Sequence, residues 1–431
     1  MLFIALFVAL STAVLKEKIA NYEVELPSTL LGPETVFRIY TYSKISTRLY
    51  PSFDGDNNYY VGYTDKNLVG TVIKIKSHTN EILRTDKFSG LNVRGLAAEA
   101  DGTYGVLLWD RKTETISFKK VNKDGTVAFT KALDLRSGFP SRVENTGSNN
   151  GYKIGDSRVN YGNGLYHVYT HTHSDPDQNK VEHEGDVLFT ISDAGVVSKI
   201  WNWGCSHMLS GLQGYNSQTQ SMIHLCDSDA YPGFGMFAEN DKNKRLYSHI
   251  ANMGGYSGGE LGGVAENGDG WLLIMNSITP EAGTDVNAGA PNGVQDIGVV
   301  SIGKDKKRSK VTFIKQSDTD KTNGCIAKYG EKFLVGYMDK SKDYYLGTID
   351  ASVKMTNPFE KVTEVTGWGD RDDSFRTLSS GNIFWVRAPD NNGNKLIISE
   401  FNVAGGVVPD SENKGFMEVM IFIMVVLLFA F

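Results

Sequence analysis

Hydrophobic and polar positions alternate along most of this chain with the two-residue period of β-strands, and one larger pattern recurs. A short polar turn is followed by a strand rich in aromatic and β-branched residues. These strands fall at 59–63, 104–109, 165–170, 222–226, 271–275, 333–337 and 383–386, so the repeat length is 45 to 62 residues. Each is followed by a second two-strand unit: 71–87, 115–133, 186–201, 236–250, 297–315, 345–362 and 395–408. Turns such as Lys123-Asp124-Gly125 and Asp193-Ala194-Gly195 supply residues that tolerate a tight reversal. No long stretch has helical periodicity.

Four strands per repeat and seven repeats predict an all-β chain, a seven-bladed β-propeller with four-stranded antiparallel blades. Tandem β-sandwiches are the alternative. Residues 34–45 read as a strand without a blade of its own and are expected to close the ring by completing the last blade, removing an open sheet edge. The chain has no regular Trp-Asp repeat, no Kelch Gly-Gly pattern and no sialidase Asp-box series, so function must be sought in the residues the fold brings together.

The two ends change the picture. Residues 2–10 form an apolar run of signal-peptide length, and Ser11-Thr12-Ala13 supplies small residues for cleavage, so 1–13 is expected to be removed. Residues 419–431 are apolar to the last position, too short a stretch for an ordinary span, and follow small and polar residues. This predicts a GPI-attachment signal over 411–431, leaving one domain over 14–410. A tail anchor or a buried terminal helix is the alternative. The expected location is the extracellular face of the plasma membrane, held to the outer leaflet by lipid.

Composition adds exclusions. Net charge is −6, with 44 basic and 50 acidic residues interspersed, so there is no basic stripe for a phosphate backbone and nucleic acid is excluded as a partner. Three cysteines are too few for a disulfide scaffold, although export favours one bridge, Cys205–Cys226, with Cys325 left over. In a simple hairpin centred within 211–221, Cys205 would face Cys226 and His207 would face His224. No Asn-x-Ser/Thr sequon occurs.

In a propeller the innermost strands open together at one end of the axis. The predicted openers are Arg48, Arg94, Arg158, His207, Glu260, Asn323 and Asp373, a mostly cationic set that suits a carboxylate or sulfate. The same arginines would equally serve as pairing partners that hold blades in register. His207 with Glu260 or Asp373 offers acid–base groups for catalysis. The longest connections, 135–156, 171–185, 227–235 and 276–295, leave at that same end.

His171 and His173 share one side of a strand and, with His183 or Asp186, form a candidate divalent-metal site. Trp201, Trp203 and Trp368 are candidates for stacking on sugar. Together these features predict a GPI-anchored surface propeller that binds a glycan or small anionic ligand. An extracellular hydrolase, lyase or transferase and a surface coat or filament subunit are the alternatives.

Overall fold

The computed structural model describes residues 19–31, 49–113, 115–135, 153–173, 184–202, 205, 208–229, 234–248, 251–252, 256–257, 259–278, 294–315, 319–365, 375–389 and 393–401. Within them the periodicity is realised as seven four-stranded antiparallel sheets, arranged in a ring as a seven-bladed β-propeller.

Blade one is Tyr50–Phe53, Tyr59–Thr64, Gly70–Ile75 and Ile82–Phe88; blade two is Leu91–Ala98, Tyr104–Asp110, Thr115–Val121 and Val127–Leu133. Blade three is Lys153–Gly162, Leu165–His173, Glu184–Ser192 and Val197–Asn202; blade four is Met208–Asn216, Ser221–Asp229, Phe234–Ala238 and Arg245–Tyr247. Blade five is Gly259–Asn267, Gly270–Ile278, Gln295–Ile302 and Arg308–Lys315; blade six is Lys321–Tyr329, Lys332–Asp339, Tyr344–Ile349 and Met355–Val362. Blade seven is Arg376–Thr377, Ile383–Arg387, Lys395–Phe401 and, as its outermost strand, Ile19–Glu25.

The ring is therefore closed by an N-terminal strand, Ile19–Glu25; the segment expected for this role, 34–45, lies outside the described residues. Ile19–Glu25 pairs along its whole length with Lys395–Phe401, from Ile19 opposite Phe401 to Glu25 opposite Lys395. Its Val24, with Leu26 and Leu30 beyond it, enters the core shared by blades seven and one, and that burial selects this segment.

Burial explains which strands the sequence announces. Second strands such as Gly270–Ile278 are buried along their full length, because a neighbouring blade covers each face; they read as continuous apolar runs. Fourth strands such as Met355–Val362 keep one face in water and alternate. Each of the seven seams between adjacent blades has its own apolar cluster.

Carboxylates bridge the seams. The Tyr59 hydroxyl of blade one donates to Glu400 of blade seven at 2.7 Å, Tyr104 of blade two donates to Asp86 of blade one at 2.7 Å, and Tyr166 of blade three donates to Glu99 of blade two. Near the axis, glycines let neighbouring strands approach. A Cβ on Gly262 of blade five would lie 2.4 Å from the carbonyl oxygen of Gly324 of blade six.

Candidate functional site at the channel mouth

In this topology the first strand of each blade starts at the end where blades connect and where second and third strands are joined. The connections 134–152, 174–183, 230–233 and 279–294 all leave from that end. A register shift falls near the start of five inner strands: between Val93 and Gly95, Ile154 and Ser157, Met208 and Ser210, Leu261 and Gly263, and Thr322 and Cys325. Such bulges re-aim the side chains beside them.

Beside the bulges of blades two and three, against the start of blade one, lies a cationic group. Arg94 is the extra residue of the blade-two bulge, and its guanidinium lies 4.9 Å from the Trp109 ring centre. Arg111, at the end of the next strand, lies 5.1 Å from the same ring, and burial pulls its guanidinium below the ordinary arginine range. Arg158 of blade three contacts Asp156 at 2.5 Å, and the second carboxylate oxygen accepts the Gly211 amide of blade four at 3.1 Å. Tyr50, which opens blade one, is the meeting point. Burial raises its hydroxyl pKa, while Arg94, which also hydrogen-bonds it, and Arg158 pull the other way.

Beside this group stands Asn92, directly opposite Trp109 in the strand register and 1 % exposed. Neither its Oδ1 nor its Nδ2 has a partner in the protein, and Trp109 Nε1 is equally unpartnered. A buried carboxamide without partners costs roughly 1–3 kcal/mol per orphaned group. Two guanidiniums on one indole with a third nearby, beside an unpartnered carboxamide, suit an anion that also offers hydrogen bonds.

Of the predicted openers, the structure thus brings Arg94 and Arg158 to one place. Glu260 and Asn323 stand on blades five and six. Glu260 is paired in register with Asn276, and Asn323 is a bulge residue with φ +52° whose carbonyl accepts from Tyr344 at 3.3 Å. Arg48, His207 and Asp373 lie outside the described residues, as do Trp203 and Trp368. The first residues of the seven inner strands are Tyr50, Leu91, Lys153, Met208, Gly259, Lys321 and Arg376, which differ from the expected positions. Lys321 was not anticipated: it is 2 % exposed and lies 4.0 Å from Asp296.

Cys205 and Cys226 are joined in a disulfide between blades three and four, and Cys325 is free and buried. The strand register differs from the simple hairpin: Cys226 faces Gly211 and His224 faces Gln213, because the strand has a bulge and begins at Met208, beyond Cys205. His171 and His173 are opposite Asp186 and Glu184 in the backbone register, and His183 lies outside the described residues. Asp186 itself is fully buried and accepts from Tyr169 at 2.7 Å, from Trp201 Nε1 at 3.2 Å and from the Cys205 amide. Among the described residues no three His, Cys, Asp or Glu side chains gather as a cation site.

Tyr50, Asn92, Trp109 and Arg111 escaped the sequence reading. The usable signal was the turn at 99–103, which places Asn92 across from Trp109 and makes a polar residue in an apolar strand conspicuous.

No protein-family model and no curated protein matches the chain. Among solved structures, it is similar to a lectin from Burkholderia pseudomallei, with a TM-score of 0.51 and 9 % identity, over 84 % of this chain and 97 % of the lectin. The WD40 domain of SCAP from fission yeast matches with a TM-score of 0.37 and 8 % identity, over 91 % of this chain and all (100 %) of that domain. At 9 % identity the likeness to the lectin is one of fold alone.

Proposed function

We propose that the chain is a ligand-binding propeller whose channel mouth takes an anionic glycan, one bearing a carboxylate or sulfate. The observation that carries this reading is the convergence of Arg94 and Arg158 on Tyr50, beside the unpartnered buried carboxamide of Asn92. Planar guanidiniums match carboxylate and sulfate in two-point geometry, the amide suits a sugar hydroxyl, and an indole offers an apolar face. The solved lectin of the same fold is in keeping with a sugar as the ligand. The apolar segments at 2–10 and 419–431 support display on the extracellular face of the plasma membrane through a GPI anchor. No helix among the described residues is long and apolar enough to cross a membrane.

The test is an array of neutral, carboxylated and sulfated glycans probed with the protein and with Arg94→Lys and Asn92→Ala. Binding confined to the acidic sugars, at least tenfold weaker in each variant at unchanged melting temperature, supports the reading. Tenfold corresponds to about 1.4 kcal/mol. Binding that ignores both substitutions, or none to acidic sugars, overturns it. Release of the chain from cells by a phosphatidylinositol-specific phospholipase tests the anchor; retention on the membrane after treatment refutes it.

A further inference from the structure

The seam between blades three and four is built differently from the rest. Among the described residues its apolar cluster has five buried members, Tyr169, Leu188, Cys205, Cys226 and Phe237, whereas every other seam has at least ten. Alongside these it holds two histidines. His167, on the second strand of blade three, and His224, on the second strand of blade four, have ring centres 5.4 Å apart with planes inclined by 33°. Both sit near the turn end of their strands, away from the channel mouth, so the histidine pair stands apart from the anionic site at the other end of this seam.

The hydrogen bonding leaves a specific deficit. Glu239 accepts the His224 amide at 2.9 Å and lies 3.2 Å from its Nδ1, and Lys306 of blade five holds the same carboxylate oxygen at 3.1 Å. A carboxylate at Nδ1 fixes the proton there and leaves the lone pair on Nε2. That Nε2 is buried and has no partner, in a residue only 4 % exposed. Gln213 faces His224 in the register and donates its Nε2 to the His167 carbonyl at 3.4 Å, which leaves Oε1, an acceptor, buried and unpartnered. His167 Nδ1 is the third buried atom of the group without a partner.

We propose that His167, His224 and Gln213 bind one borderline transition-metal cation of the Zn(II) class, clamped between blades three and four. Two imidazole nitrogens and an amide oxygen, with solvent in the fourth position, make a three-ligand tetrahedral set. Two imidazoles on one such cation, at bond lengths of about 2.0–2.1 Å, have ring centres about 5 Å apart, which matches the spacing seen. Glu239 is the outer-shell carboxylate that orients His224, and Lys306 ties it to blade five. The cation thus replaces, at the seam poorest in apolar filling, the contacts that fix adjacent blades elsewhere.

The full chain, freed of metal with a chelator and dialysed, is titrated with Co(II) while visible absorption is followed, then with Zn(II) in a calorimeter. One equivalent of Co(II) with the intense bands of a four-coordinate site, displaced by Zn(II), and a Zn(II)-dependent rise in melting temperature are expected. Both readouts should weaken at least tenfold in His167→Gln and His167→Ala, which leave the His224–Glu239 pair in place, and stay unchanged in a His171→Ala/His173→Ala variant. Absence of binding, binding undiminished in folded His167 variants, or binding lost only in the His171/His173 variant would each overturn the proposal. If the three atoms are instead served by buried water, the titrations show no saturable uptake, which also overturns it.

Discussion

Removing the carboxylate of Glu400 should be among the most damaging single changes outside the binding sites. Glu400 is fully buried and accepts from Tyr59 Oη at 2.7 Å, Asn382 Nδ2 at 2.6 Å and His78 Nδ1 at 2.8 Å. It joins the first blade to the last at the point where the ring closes. In Glu400→Ala the Tyr59 hydroxyl and the Asn382 amide remain buried, and each orphaned group costs roughly 1–3 kcal/mol. His78, with a side chain 37 % exposed, turns to water and adds little. The expected loss is about 3–5 kcal/mol, a large share of the stability of an ordinary domain.

Urea unfolding at constant slope measures it, with Lys395→Ala as the control. The Lys395–Glu23 pair links the closing strand to its neighbour with side chains 56 % and 66 % exposed, so its removal should cost at most about 1 kcal/mol. A loss below about 1 kcal/mol for Glu400→Ala would refute the view that buried charge-assisted bonds hold the closure. Tyr59→Phe alone should cost about 1–2 kcal/mol and combine non-additively with Glu400→Ala, because the two changes remove the same bond.

Three other outcomes follow from the same reasoning. Gly105→Ala places a Cβ 2.3 Å from the Phe118 ring and 2.5 Å from the Tyr166 ring, and should destabilise by about 1–3 kcal/mol or more, seen as a lowered melting temperature. Asp186→Asn turns an amide toward donors that now meet a carboxylate, and should speed reduction of Cys205–Cys226 by dithiothreitol, since the Cys205 amide loses its charged acceptor. In chelator, stability should fall on acidification in two overlapping stages. His167, lowered to about 4 by burial and His224, loses its contribution as pH drops from its unfolded value of 6.5 toward 4. Burial favours the protonated form of Glu239, but His224 and Lys306 outweigh it and hold the carboxyl at about 2, so its share goes as pH drops from 4.5 toward 2. Urea midpoints between pH 7 and 3 check this, and a flat profile would contradict it.

The sequence disclosed most where burial is two-sided. Tyr59–Thr64, Tyr104–Asp110 and Gly270–Ile278 are apolar on both faces because a blade presses on each, and their spacing alone implied seven repeats. The inner strands were harder to place. Lys153–Gly162 carries charge and glycine among its apolar residues because it lines a crowded axis, and its bulge moves Asp156 and Arg158 off the simple count. The closing strand was misplaced for a different reason. Alternation in Ile19–Glu25 is no clearer than in 34–45, and its pairing is with Lys395–Phe401, a partner at the far end of the chain that no local pattern encodes.

The bulges connect these two difficulties to function. Seven twisted sheets converge on one axis, and in five of them the inner strand carries a register shift near its start, which bends the strand there. An extra residue reverses the facing of those that precede it, so the geometry that closes the ring also chooses which side chains reach the mouth. In blade two that residue is Arg94, drawn against Trp109 and Tyr50; in blade six it is the Asn323–Gly324 pair, whose glycine lies against Gly262 of blade five. The two halves of the ring thus use one device for opposite ends: blade six brings backbone against backbone, and blade two places a buried cation where an anion can meet it. Ligand chemistry can therefore differ between propellers of this kind through a few residues at the bulges, while the Tyr–carboxylate bridges and seam clusters that hold the blades stay as they are.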